Sequence, residues 1–136
     1  MPEEVGKRRV LIVEDEAVVA DTLRQILSSN GYDTHVSYSA EAALNSLARW
    51  APDLAILDVM LPKMNGIDLA LALKEHLPDC RILLISGQPS VENLLSDARA
   101  KGHDFEILAK PVHPTEIMDA IDGLLGVNGN PRCHHD

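Results

Sequence analysis

The stretch Leu54-Ala55-Ile56-Leu57-Asp58 decides the fold. Four consecutive apolar residues predict a strand buried on both faces, as in a parallel sheet covered by helices on either side. The run stops at a carboxylate, and Val59-Met60-Leu61-Pro62-Lys63-Met64-Asn65-Gly66 leads into the next helical pattern. In an open parallel α/β sheet, ligands bind beyond the carboxyl ends of the strands, so Asp58 stands where such folds do chemistry. On its own it reads more simply as an aspartate that ends or caps a strand. The other strand ends decide between the two.

Working outward, Val10-Leu11-Ile12-Val13 is a short β-branched run closed by Glu14-Asp15-Glu16. A helix follows with Val19, Leu23, Ile26 and Leu27 on one face, stopped by Asn30-Gly31. Thr34-His35-Val36 is a weak second strand. Ser39 is placed to cap a helix with Ala43, Leu44, Leu47 and Ala48 inward, ended by Trp50-Ala51-Pro52-Asp53. After Asp58, Gly66 opens a third helix running to about Leu77. Its consecutive Leu69-Ala70-Leu71-Ala72-Leu73 cannot fit one stripe, so either a few small side chains are exposed or Leu71 marks a partner surface.

Arg81-Ile82-Leu83-Leu84-Ile85-Ser86 is a fourth strand. Gly87-Gln88-Pro89 is a loop, and Ser90 caps a helix with Val91, Leu94, Leu95 and Ala98 inward, closed by Gly102-His103-Asp104. Phe105 to Ala109 is a fifth strand, terminated by Lys110-Pro111. A last helix starting at Pro114 or Thr115 carries Ile117, Ala120, Ile121, Leu124 and Leu125. Five strands alternating with helices predict a doubly wound parallel sheet in the order 2-1-3-4-5, with helices on both faces.

With 136 residues and 46% apolar content, the chain suits one domain with one core, expected over about residues 7–126, and a flexible tail over 127–136. Cys133, His134 and His135 in that tail are adjacent ligands on a loose end, a poor metal site. A net charge of −9 argues against binding nucleic acid by attraction to phosphate. Cys80 and Cys133 have no paired spacing, which points to a reducing compartment. Val10 to Val13 is too short for a secretory apolar region, and no run approaches membrane-spanning length, so a cytoplasmic protein is expected.

In a parallel sheet, Glu14 and Asp15, Asp58, Ser86 and Lys110 meet at one edge. Carboxylates crowded there repel one another and need counter-charge, from Lys110 and from a divalent cation. Hard oxygen ligands suit Mg²⁺. Glu14-Asp15-Glu16 occupies the place where phosphate-binding folds put backbone donors, so a phosphoryl group approaches only with a metal between. That pattern points to phosphoryl transfer onto a carboxylate, with Asp58 as nucleophile, Ser86 as hydrogen-bond donor, and Mg²⁺ and Lys110 neutralising charge.

Leu11-Ile12-Val13-Glu14-Asp15-Glu16, Leu57-Asp58-Val59-Met60-Leu61-Pro62 with Gly66, Ile85-Ser86-Gly87 and Lys110-Pro111 together resemble the receiver domain of two-component response regulators, the chemotaxis receivers among them. The resemblance covers roughly residues 7 to 126. It implies phosphorylation of Asp58 by a histidine kinase or histidine phosphotransfer protein. It further implies Mg²⁺ held by Glu14, Asp15, Asp58 and the backbone carbonyl of Met60, and output through a downstream protein as a monomer or a phosphorylation-dependent dimer. The signalling surface is expected on the fourth helix, fifth strand and fifth helix, near Val112 and His113.

Two features depart from the family pattern. Ile107 stands three residues before the lysine, where many receivers carry a switching aromatic, and Gly102 to Lys110 is one residue longer than usual. Output is therefore expected through the loop after Ser86 and the fourth helix. Met60 and Gln88 flank the pocket by analogy, with Met60 expected to shield a phosphorylated Asp58 from water. Two other classes compete. A haloacid-dehalogenase-type phosphatase wants a second aspartate where Met60 stands, and a phosphorylation-independent adaptor has no need of the intact acid, hydroxyl and lysine set.

Overall fold

A computed structural model describes residues 8–87, 92–103 and 105–126, with the backbone alone for 92–94. Strands β1 (Arg9–Val13), β2 (Asp33–Ser37), β3 (Leu54–Asp58), β4 (Arg81–Ser86) and β5 (Glu106–Ala109) alternate with helices α1 (Ala17–Ser29), α2 (Ala40–Ser46), α3 (Gly66–His76), α4 (Glu92–Ala100) and α5 (Pro114–Leu125). The strands form one sheet in the order β2-β1-β3-β4-β5, every pair parallel. This is the architecture that the alternating pattern predicts.

The pleat divides the core in two. Leu11, Val13, Ala55, Leu57 and Leu84 pack with Ala43 of α2, Leu69, Ala70 and Leu73 of α3, and Ala98 of α4. Val10, Ile12, Leu54, Ile56, Leu83 and Ile85 face the other way, onto Ala20, Leu23 and Leu27 of α1 and Ile117 and Ile121 of α5. Alternate residues of one strand thus feed opposite layers. All five residues of β3 are buried, because it lies at the centre of the sheet.

Local signals set the helix ends. The Ser39 hydroxyl accepts the Ala42 N–H at 3.1 Å, and Asn65 Oδ1 accepts the Asp68 N–H at 2.8 Å, each meeting a donor the first turn leaves open. Gly31, at φ 89°, turns the chain out of α1 in a conformation that glycine adopts without penalty.

Some expectations need correction. Helix α2 stops at Ser46, so Ala48 lies exposed in the following turn and Ser46 is the buried residue. Strand β5 begins at Glu106, leaving Phe105 just outside it, stacked on His103 with ring centroids 5.6 Å apart. Leu71 and Ala72 are half-buried, between the two readings offered for that face. Expectations for Gln88, Pro89, Ser90, Val91, Leu94, Asp104 and the 127–136 tail lie outside the described residues.

Gly66 ties the fold to the end of β3. Its N–H donates to the Val59 carbonyl at 2.8 Å, and a Cβ built there falls 2.3 Å from the Asp58 carbonyl oxygen and 2.9 Å from Val59 Cα. The neighbours are backbone and cannot turn aside. Gly66→Ala is expected to destabilise the fold by about 3 kcal/mol, at the upper end of ordinary overpacking. Chemical denaturation checks this; a loss below about 0.5 kcal/mol means that α3 shifts freely.

Candidate functional site

Strand register assembles the site. Val13 pairs with Leu57, so the residues that follow them, Glu14 and Asp58, emerge side by side. Asp58 pairs with Ile85, which places Ser86 one step beyond it, and Ser86 pairs with Ala109, which places Lys110 one step further again. Backbone hydrogen bonds continue each ladder past its last side chain: Glu14 N–H to Ser37 O (3.1 Å), Val59 N–H to Ile85 O (2.9 Å) and Lys110 N–H to Ser86 O (2.9 Å). The turn positions are thus as fixed as the strands.

The carboxyl edge of the sheet therefore holds Glu14, Asp58 and Ser86, all buried, with Lys110 part-buried and Asp15 exposed at the rim. The Lys110 ammonium lies 2.9 Å from Glu14 Oε1, 3.3 Å from Asp58 Oδ2 and 3.4 Å from Glu16 Oε1. The other oxygens are held by backbone: Glu14 Oε2 accepts the Glu16 N–H at 3.0 Å, and Asp58 Oδ1 accepts the Met60 N–H at 3.2 Å. Glu14 Oε1 has no hydrogen-bond donor; its contact with Lys110 is one of charge, off the hydrogen-bond direction.

Burial raises the Glu14 carboxyl above its ordinary pKa, and the Asp58 charge adds to the rise; the Lys110 contact and the Glu16 N–H oppose it without cancelling it. Burial alone would lower Lys110, but contact with Glu14 and the charge of Asp58 outweigh that and raise it. The ammonium is thus held charged in a pocket with more negative than positive charge.

Carboxylate oxygens of Glu14, Asp15 and Asp58 lie within 4.8 Å of one another. A Mg²⁺ taking oxygens at about 2.1 Å holds opposite ligands roughly 4.2 Å apart, so a small inward rotation of the exposed Asp15 side chain brings these oxygens to such an ion, with waters completing its shell. The undonated Glu14 Oε1 and the hard, all-oxygen donor set fit it as well. A Cβ at Gly87 would rest 3.8 Å from Lys110 Cδ, leaving the space above the lysine stem open.

Glu14, Asp15, Asp58, Ser86 and Lys110 therefore sit at one sheet edge, while Gln88 lies outside the described residues. Sequence reading missed two neighbours. Glu16 reaches Lys110, and the run of three acids after β1 was its only signal. Gly66 makes the close approach to Asp58, for which a glycine beginning a helix gave only a hint. Ile107, where a switching aromatic was sought, is half-buried and packs with Phe105 against the same core layer.

A family model for the response regulator receiver domain matches residues 10–122. The response regulator MprA of Mycobacterium leprae is 33% identical over 117 residues, covering 86% of this chain and 50% of its own length. The MprA of Mycobacterium avium is 32% identical over the same span. The chain thus spans about half the length of these curated relatives. Among solved structures, the CheY-like receiver domain protein of Methanospirillum hungatei JF-1 superposes with a TM-score of 0.81 at 28% identity, over 89% of this chain and 95% of that one. The signal receiver domain of an HD domain-containing protein from Pseudomonas fluorescens Pf-5 gives 0.82 at 29%, over 89% and 96%. With most of its length matched, the chain belongs to the family of response regulator receiver domains.

Proposed function

We propose that this receiver domain takes a phosphoryl group on Asp58 from a histidine kinase or histidine phosphotransfer protein, with Mg²⁺, and so switches a protein-binding surface in a cytoplasmic phosphorelay. The observation that carries the reading is the Lys110 ammonium set between buried Glu14 and Asp58. A carboxylate held beside an ammonium and a cluster of hard oxygens has what in-line phosphoryl transfer needs, positioning and charge neutralisation.

An Asp58 carboxylate oxygen attacks phosphorus as the bond from phosphorus to the donor's nitrogen, or to the acetate oxygen of acetyl phosphate, breaks. The electron pair leaves with the donor. The Met60 N–H orients the carboxylate through its other oxygen. Lys110 turns its ammonium to a phosphoryl oxygen, and the Ser86 hydroxyl donates to another. Glu14, Asp15, Asp58 and the Met60 carbonyl would hold Mg²⁺, which would supply electrostatic stabilisation of the phosphoryl oxygens. An apolar groove of about 350 Å³ beside Lys110, lined by Val18, Val19, Thr22 and Leu23 with Pro111 and Val112, suits docking of the donor protein. Among the described residues no helix is long and apolar enough to cross a membrane.

Acetyl phosphate with Mg²⁺ is expected to add one phosphoryl mass to the wild type and none to Asp58→Asn. Intact mass after acid quench reads the result; modification of Asp58→Asn, or none of the wild type, overturns the assignment.

Glu14→Gln separates the charge balance from the fold. Because folding raises the Glu14 pKa, the folded state binds its proton more tightly than the unfolded chain. Stability therefore falls as pH rises from the ordinary glutamate value through the raised one, and the loss persists above it. Without divalent cations at pH 7, Glu14→Gln is expected to raise the thermal midpoint by a few degrees. Mg²⁺ at a hundredfold excess over Kd adds about 2.7 kcal/mol to the wild type, and the variant loses most of that gain. Melting curves from pH 4 to 8, with and without Mg²⁺, check both signs; a variant less stable at pH 7 contradicts the account.

Met60 is 52% exposed directly after the acceptor, where its apolar side chain is placed to exclude water. Met60→Asn is expected to shorten the lifetime of phosphorylated Asp58 severalfold, measured by decay of the phosphorylated mass; an unchanged lifetime removes the shielding role.

A further inference from the structure

We infer that Glu16 is a positioning residue, the exchangeable partner that occupies Lys110 until a phosphoryl oxygen displaces it. The inference rests on the proposed role of Asp58.

An ammonium carries three N–H donors, and three carboxylate oxygens lie within 3.4 Å of Lys110 Nζ, those of Glu14, Asp58 and Glu16. Two of them, on Asp58 and Glu16, accept hydrogen bonds from it, while Glu14 Oε1 holds it by charge alone; an ammonium that turns to a phosphoryl oxygen on Asp58 swings out of this arrangement and stretches its remaining contacts. The three are not equivalent. The Glu14 side chain is fully buried and the Asp58 side chain only 5% exposed, so neither can exchange Lys110 for water. The Glu16 side chain is 64% exposed and makes the longest contact, so on losing Lys110 its carboxylate is solvated at once. Glu16 is therefore the partner that departs.

Backbone and side chain of this residue do separate work. The Glu16 N–H fixes Glu14 Oε2, and any residue at position 16 except proline keeps that bond. The side chain alone reaches Lys110. Substitution at 16 therefore leaves the buried charges in place and alters only the outer contact on the ammonium. When Asp58 takes a phosphoryl group from acetyl phosphate, with the bond to phosphorus forming as acetate leaves with its electron pair, Lys110 no longer has to be drawn from Glu16.

Glu16→Gln removes the charge and weakens the contact. Glu16→Asp keeps the charge but withdraws it by one methylene. Glu75→Gln is the control, an exposed acid in the last turn of α3, which leads away from the site toward the start of β4. The ¹⁵N signal of the Lys110 ammonium, recorded without Mg²⁺ or donor, reads the restraint directly. Faster ammonium rotation and proton exchange are expected in both Glu16 variants and not in Glu75→Gln. Modification of Asp58 by acetyl phosphate at low salt is expected to quicken about two- to fivefold in both, the range an exposed ion pair is worth. Both gains should shrink in high salt, where screening already loosens the Glu16 contact in the wild type.

An ammonium signal unchanged in both variants overturns the inference, as do rates no faster than in Glu75→Gln. The two readings fail separately. If wild type is not modified at Asp58, the acceptor assignment fails, while the ammonium signal still decides whether Glu16 holds Lys110.

Discussion

The structure depends on one ammonium. Glu14 and Asp58 are carboxylates at the ends of adjacent central strands, both nearly out of reach of water. Two such groups cannot share a dry pocket as anions without a counter-charge. Lys110 supplies it from two strands away, 2.9 Å from one and 3.3 Å from the other. The direction of its shift records the cost: burial works against its charge, and the acids overcome burial. Glu14 is shifted upward chiefly by burial, so one ammonium does not offset the cost of taking its carboxylate out of water. The sheet edge carries more carboxylates than ammonium groups, an imbalance that a further cation would neutralise.

Backbone geometry places these charges and permits little adjustment. Glu14 and Asp58 stand level, and from β3 onward each strand contributes its functional group one residue beyond its neighbour's, so that Asp58, Ser86 and Lys110 form a diagonal along the sheet edge. A register slip of one residue would turn Asp58 to the other face and replace it with Leu57 or Val59. The two apolar layers oppose such a slip, because alternate residues of β1, β3 and β4 are claimed by opposite sets of helices. Gly66 adds a lock at the end of β3, where the backbone of α3 lies so near Asp58 that no side chain fits. The chemistry of the site thus inherits its precision from hydrophobic packing well below it.

The sheet was legible because buried parallel strands are uninterrupted apolar runs that end in polar residues, and Leu54 to Asp58 displays both features within five residues. The acid, hydroxyl and lysine followed from those ends, since a parallel sheet gathers every carboxyl terminus at one edge. Helix faces read less well. Ala48 was assigned to a face that α2 does not extend far enough to have, because Ser46 closes that helix a turn early. Phe105 looked like strand by residue type, yet it is spent on a stack with His103 before β5 begins. Glu16 and Gly66 were hidden for a different reason. Their roles depend on distances between segments far apart in sequence, which neither periodicity nor residue type encodes.

The same distances separate what this pocket must keep from what it can vary. Groups at its floor act through nearly unscreened charge, so exchanging any of them changes the balance that holds Lys110. Groups at its rim, Asp15, Glu16 and Met60, stand in water. There an ion pair is worth a fraction of what it is worth when dry, and a side chain moves without disturbing the sheet. On the proposed reading, buried residues fix which reaction is possible, and rim residues are placed to adjust how fast the acceptor is loaded and how long it stays loaded. A receiver domain can meet a new timing requirement by substitutions confined to the first turn residues after β1 and β3, with the hydrophobic layers and the central charges left as they are.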